Sequence, residues 1–470
     1  MRIFLSFCVI GWLAMMAIPG VLLAEADPSA VAVMDAADFQ QIEVLDLETA
    51  QRIAIASNPT LTAAAERVNQ ASERIRQAQA AYWPTLDANG SFSRVDLSDN
   101  AEETQLAQWR LLDPDASIDN PEDYYRANLV ASWTIFDGFR RHFSNALARY
   151  GQDASQAALA ESRRLLLSSV ADSYYQAQLA RENIAITEAD EAFNQRQLEE
   201  AQARYNVGSG SLSDMLNFEV QVNAARSQRN GYYREYQIAL VGLASLMAIP
   251  DACLPPGLKL AGLKPEVEKD LIPPEAAGHL DYALLHRPDI QQTEWILRQQ
   301  EANIGIARSN FYPALQVSGS VDGERANSGR FEGDDFGNTV GLYLTYRLYS
   351  GGERRARLAE AKYQQKEAEE NLRASKLGVA SDVQQAIANV ITAQHELELQ
   401  RKNAKLVMEN RDLVEKEYQA GQASLVRLNE AQRNLTQAQA RLALARVGLR
   451  QAQKNLSAST GRILLPFATP

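Results

Sequence analysis

Cysteine and histidine are nearly missing from this chain. Its 470 residues contain two cysteines and four histidines. Cys8 lies in an apolar N-terminal stretch, so a processed chain keeps Cys253 alone and an intrachain disulfide is excluded. His142, His279, His286 and His395 show no metal-ligand spacing, and no metal is expected. A surplus of positive charge is also missing. The formal net charge is −12, which leaves no basic stripe to neutralise phosphates and argues against nucleic acid as a partner. There is no Gly-x-Ser-x-Gly elbow. The run Gly208-Ser209-Gly210-Ser211 lacks the Lys-[Ser/Thr] ending and the preceding strand of a phosphate loop. Neither catalysis nor a cofactor is expected. Long apolar runs are absent after the N-terminus. The best, Ile238 to Pro250, is broken by Gly242 and Ser245 and is too short to span a bilayer.

The N-terminus itself reads as a secretory signal over residues 1–26. Arg2 leads an apolar stretch from Ile3 to Ile18, and Ala24-Glu25-Ala26 is a small-residue cleavage site. An acidic, Ala-rich leader over 27–46 follows.

A duplication organises the rest. Tyr205-Asn206-Val207-Gly208 and Tyr418-Gln419-Ala420-Gly421 lie 213 positions apart (208 to 421), and Ser-Leu follows each glycine at the third and fourth positions. Another glycine lies 70 positions before each, at Gly138 and Gly351. Further upstream the offset is 229 (59 to 288). Asn58-Pro59 matches Arg287-Pro288, and Tyr82-Trp83-Pro84 matches Phe311-Tyr312-Pro313. The 16 positions of difference fall in the loop between two strands, where an insertion is cheapest. The expected organisation is a first repeat over 47–248, a connector over 249–278, a second repeat over 279–461 and a tail over 462–470.

Each repeat carries two amphipathic strands. They are expected at about 85–95, 125–136, 314–322 and 339–349, from alternations such as Tyr125, Ala127, Leu129, Ala131, Trp133 and Ile135. Residues 95–124 read as an acidic loop, with nine carboxylates between Asp96 and Asp123 and Arg110 as the one cation. Proline is absent from Arg140 to Tyr205, and Gly151 is the only glycine there, so a very long helix is expected. Leu428, Leu435, Leu442, Leu449 and Leu456 recur every seven residues. Met215, Val222, Tyr236 and Leu243 hold the matching places, with Arg229 breaking the series. That period implies a left-handed supercoil. Four strands cannot close a membrane barrel, and an open edge in hydrocarbon leaves backbone groups unpaired. More than one copy of the chain is therefore required.

This double series resembles the outer-membrane factor family of TolC-type efflux and secretion channels: proline, Tyr/Trp-Pro, strand–loop–strand, Phe/Tyr-x-Gly, long helix, Tyr-x-[Val/Ala]-Gly turn and return helix. The resemblance implies a mostly α fold with membrane β. Three copies build a twelve-stranded β-barrel in the outer membrane, which continues into a periplasmic α-helical coiled-coil tunnel. It implies contact with outer-membrane lipid, and partnership with a periplasmic adaptor (membrane fusion) protein and an inner-membrane pump or ABC exporter. By the same resemblance, Val207, Gly208, Ser209, Ala420, Gly421 and Gln422 form adaptor-facing tips, and Asp214 and Tyr418 hold gate positions. Six and nine residues past the second tip, where the family often has two acids, stand Arg427 and Glu430, which in a ring of copies have the signs to pair with each other. A non-channel periplasmic coiled-coil protein is the alternative; it shares the heptads but leaves the strands unexplained.

Overall fold

The structure, a computed structural model, describes residues 43–467 apart from Pro256 and Lys264. The expected signal and most of the leader lie outside the described residues.

The duplication extends to the lengths of four helices in each repeat. The first repeat contains α1 (Leu47–Ser57), α2 (Pro59–Ala80), α4 (Arg140–Asn206) and α5 (Leu212–Leu246), of 11, 22, 67 and 35 residues. The second contains α6 (Ala276–His286), α7 (Pro288–Ser309), α8 (Glu353–Gln419) and α9 (Leu425–Ser459), again of 11, 22, 67 and 35 residues. At about 1.5 Å per residue, α4 and α8 each run roughly 100 Å. Between α2 and α4 lie β2 (Thr85–Val95), α3 (Asp99–Arg110) and β3 (Glu122–Phe136). Between α7 and α8 lie β5 (Ala314–Ala326) and β6 (Phe336–Thr345). Two short strands, β1 (Val44–Leu45) and β4 (Lys259–Leu260), pair in parallel.

Several boundaries differ from the sequence expectation. The acidic loop contains α3, which buries none of its residues and has Asp99 and Glu102 in its first turn, where carboxylates oppose the helix dipole. β3 begins three residues early and β5 extends to Ala326, because Tyr124–Ala326 and Tyr125–Arg325 continue the ladder beyond the apolar alternation. β6 starts at Phe336 and stops at Thr345, so the expected end at 349 is too late. Backbone pairing with β5 sets both limits. α6 already begins at Ala276, inside the expected connector. Within the expected tail, residues 462–467 form a 3-10 helix that buries Ile463.

The main sheet has the order β2-β3-β5-β6, antiparallel throughout, so β2 and β6 each keep one unpaired edge. Register puts Leu86, Ala131, Gly319 and Val340 in one row across all four strands, and Leu129 and Val321 lie two residues away on the same face. The other face carries Asn89, Asn128, Ser132 and Ser318 in the same register, with a 2.9 Å hydrogen bond from Asn89 to Asn128 and an ion pair of 3.0 Å between Arg126 and Glu324. The apolar face is uncovered: Leu86 is 62 % exposed, Leu342 66 % and Val340 82 %.

Matched polar contacts tie sheet to helices. Arg141 stands three residues after Gly138. It donates to the carbonyls of Thr134, Ile135 and Ala81 at 2.7, 3.0 and 3.4 Å, and lies over the Tyr82 ring at 5.0 Å. Arg354, three after Gly351, donates to the carbonyls of Leu348 and Asn310 at 3.2 and 3.4 Å and lies over Phe311 at 5.4 Å. At the next junction, Asn58 caps α2 and donates to the last carbonyl of α5, at Leu246, over 2.9 Å. Arg287, its counterpart, donates to the last carbonyl of α9, at Ser459, over 3.0 Å.

The long hairpins pack through the heptad positions. Leu428, Leu435, Leu449 and Leu456 are buried, as are Val222 and Leu243. Arg229, the break in the series, ion-pairs with Glu191 at 2.7 Å. Midway along, the connector and β1 wrap the helices. Tyr174 donates to Leu45 O (3.1 Å), Gln178 to Ala261 O (2.9 Å), and Glu266 bridges Arg401 (2.7 Å) and Arg446 (3.1 Å). Among the described residues, no helix is long and apolar enough to cross a membrane, a statement that bears on helices only.

Candidate functional site

The two hairpin tips are built alike. α4 ends in a turn where Ser209 N and Gly210 N both donate to Arg204 O at 2.9 and 3.0 Å. α8 ends where Gln422 N and Ala423 N donate to Glu417 O at 2.8 and 3.2 Å. These capping bonds satisfy carbonyls that the helix end leaves free, and they force the chain through the left-handed region. Gly208 takes φ +75° and Gly421 φ +73°, which only glycine adopts without cost. Ser211 and Ser424 then cap the return helices by accepting from Ser213 N and Arg427 N. Val207, Gly208, Ser209, Ala420, Gly421 and Gln422 are all exposed, and no other atom lies within 4 Å of where a Cβ would sit on either tip glycine.

Behind the tips the hairpins meet in an apolar cluster. Phe193, Phe218, Val414 and Leu428 are buried there, with Tyr418 and Met215 packed against them. Asn429 donates to Asn217 at 2.7 Å from α9 to α5. The structure brings Asp214 and Tyr418 into electrostatic reach of one another. Burial first, then the Asp214 carboxylate, push the Tyr418 phenol above its ordinary value, while Arg204 pulls it down. The Arg204 guanidinium carbon lies 5.8 Å from the centre of the Tyr418 ring. Within the chain, Arg427 pairs with Glu417, at 3.0 Å across its own tip. Glu430 is exposed one turn further on.

Arg204 and Glu417 were not singled out from the sequence. The signal that finds them is the same offset of 213 positions (204 to 417), which makes them counterparts. Among the described residues no group of His, Cys, Asp and Glu is placed to hold a metal ion. What the arrangement does is structural: a phenol, carboxylates and guanidiniums stand together where the helix ends of the two hairpins meet.

A family model described as outer membrane efflux protein matches residues 51–248 and 280–462, one span in each repeat. The chain belongs to the outer membrane efflux protein family. It is similar to the pyoverdine export outer membrane protein OpmQ of Pseudomonas putida, 28 % identical over 416 residues, covering 87 % of this chain and 84 % of that protein. Nodulation protein T of Rhizobium leguminosarum bv. viciae is 24 % identical over 380 residues, covering 80 % of this chain and 75 % of its own. In fold it is similar to the Campylobacter jejuni CmeC outer membrane channel, with TM-score 0.75, 18 % identity and coverage of 90 % and 86 %. The open-state MtrE outer membrane channel of Neisseria gonorrhoeae gives TM-score 0.70, 23 % identity and coverage of 88 % of each chain. The efflux protein is thus an outer-membrane channel with a β domain and a long periplasmic helical tunnel, in a family that is not enzymatic. Its role is that of an outer-membrane exit duct for efflux.

Proposed function

We propose that three copies of the chain assemble into the exit duct of a tripartite efflux or type I secretion system. An adaptor docks at Val207, Gly208, Ser209, Ala420, Gly421 and Gln422, and an inner-membrane pump or ABC exporter supplies the energy. In this reading, the repeats over 47–248 and 279–461 each give one pair of strands and one hairpin to the tube. One observation carries it: a four-stranded sheet, uncovered on its apolar face and unpaired at both edges, stands on helices of roughly 100 Å. Three such sheets make twelve strands, within the range of membrane barrels, and joining β6 of one copy to β2 of the next preserves the antiparallel order. Strands of 10 to 15 residues have the length a tilted membrane strand needs. Asp214 and Tyr418 close the periplasmic mouth together with Arg427 and Glu430, and the adaptor opens it by parting the helix ends. The mass of the detergent-extracted particle tests the assembly: three chains are expected, and a monomer stable without detergent contradicts it. Co-purification with an adaptor, lost in a Gly421→Asp variant that still inserts, tests the tips.

A further inference from the structure

The two tips carry the same charges in exchanged places. Arg204 and Glu417 are both third from the end of a 67-residue helix, and Asp214 and Arg427 are both third in a 35-residue helix. The first hairpin therefore reads Arg then Asp, the second Glu then Arg, each pair summing to zero. Within one chain the first pair has a target on the second hairpin: Arg204 lies over the ring of Tyr418, and Asp214 faces the same residue.

Tyr418 has a counterpart in Tyr205, again 213 positions away (205 to 418). Tyr418 is packed into the cluster between hairpins, but Tyr205 is 42 % exposed. The same contrast recurs around it. Leu425 packs against that cluster, while its counterpart Leu212 is 46 % exposed. Phe193 is 3 % exposed, while its counterpart Leu406 is 64 % exposed. At the other end of the helices, Gly138 is closed against Ser309 and Tyr312, whereas nothing stands within 4 Å of the Cβ position of Gly351. The equivalents of these contacts stand uncovered, Leu406 and Gly351 on the second repeat and Tyr205 and Leu212 on the first. In a closed ring, the operation that carries hairpin one onto hairpin two carries hairpin two onto hairpin one of the next copy.

We infer that Tyr205 is the residue at which neighbouring copies lock: it is enclosed by Glu417 and Arg427 of the next copy, as Tyr418 is enclosed by Arg204 and Asp214 within one copy. This rests on the ring assembly proposed above. It gives the mouth a ring of alternating charge, and it sets the Glu417–Arg427 pair to work between copies.

Two cysteine pairs in a Cys253→Ser background test it on detergent-extracted particles under mild oxidation. Tyr205→Cys with Arg427→Cys is expected to give covalent dimers and trimers on a non-reducing gel. Asp214→Cys with Tyr418→Cys is expected to close within single chains. Trimeric, conducting particles in which 214/418 closes but 205/427 links only within one chain, or not at all, overturn the inference and leave the duct intact. Unmodified protein that extracts as a non-conducting monomer overturns both. A charge series gives a second readout. Glu417→Arg alone is expected to raise the open probability several-fold, and Glu417→Arg with Arg427→Asp, which copies the order of the first hairpin, to restore closure. A mouth that stays shut with Glu417→Arg alone overturns the inference.

Discussion

Arg354 occupies in the second repeat the place that Arg141 holds in the first, and both guanidiniums donate to a carbonyl in the segment leading into the long helix, at Ile135 and Leu348, and to one in the turn before the strands, at Ala81 and Asn310. Each pins three segments where the sheet becomes the tube. Arg141 is only 15 % exposed and also bonds Asp137 at 3.1 Å. Charged hydrogen bonds to otherwise unpaired carbonyls are worth roughly 1.5–3 kcal/mol. Arg141→Ala is therefore expected to destabilise the folded particle by about 2–3 kcal/mol, seen as a lower midpoint in denaturant. Arg141→Lys, which lacks the planar fork, is expected to recover less than half of that loss.

Gly138 and Gly208 both take positive φ, yet they are not equally replaceable. At Gly138, φ +67°, a Cβ would stand 2.5 Å from Ser309 O and 2.8 Å from Tyr312 Cβ. At Gly208 it would meet open space. Gly208→Ala is expected to cost only the left-handed conformation, about 1–2 kcal/mol, with insertion into the outer membrane unchanged. Gly138→Ala must also displace backbone, so the yield of heat-stable oligomer in the outer-membrane fraction should fall sharply.

Alkaline pH should loosen the packing midway along the helices, where β1 and the connector wrap α4. Burial raises both Tyr174 and Tyr175 to about 12. A phenol raised in the folded state adds stability that is complete below its unfolded value of about 10 and is lost as pH rises through the folded one. The melting temperature should fall between about pH 10 and pH 12. Tyr175→Phe, which removes one such phenol without removing a hydrogen bond shown for it, should flatten that fall.

Removing the Asp214 carboxylate or the Tyr418 phenol is expected to favour the open mouth. In the three-copy assembly proposed above, a lost hydrogen bond or charge contact of about 1 kcal/mol per copy shifts the equilibrium by about 3 kcal/mol, on the order of 100-fold. Asp214→Ala and Tyr418→Ala should both lengthen open dwell times in planar bilayers. Unchanged currents in both variants would take these two residues out of the gate.

Much of this architecture is legible in the sequence because it is written twice. Gly138, Gly208, Gly351 and Gly421 mark helix ends that need positive φ, and the long proline-free stretches between them leave nothing but helix. The strand faces are legible from alternation, since one side meets no other part of the chain. What escaped depends on backbone pairing or packing at a distance. α3 buries none of its residues and carries too few apolar side chains for a period to announce it. β1 and β4 are two residues each and exist because Tyr174 and Arg181, far along α4, bond their carbonyls. At the tips, Asp214 and Tyr418 were found through resemblance. Arg204 and Glu417 were missed because a charge beside a turn looks like any solvated helix end until its counterpart is compared. Arg427 was read against Glu430 as partners between copies in a ring, and the pair it makes within one chain, with Glu417 across the turn, is visible only once the tip is folded.

Single-channel recording of the purified, detergent-extracted protein in planar bilayers tests the central claim most directly. A ring of copies that completes its barrel with β2 and β6 edges gives discrete, stepwise currents, and they open further in Asp214→Ala. Protein that inserts as verified in the same bilayers yet passes no current, or that carries its strands as a soluble single chain, contradicts it.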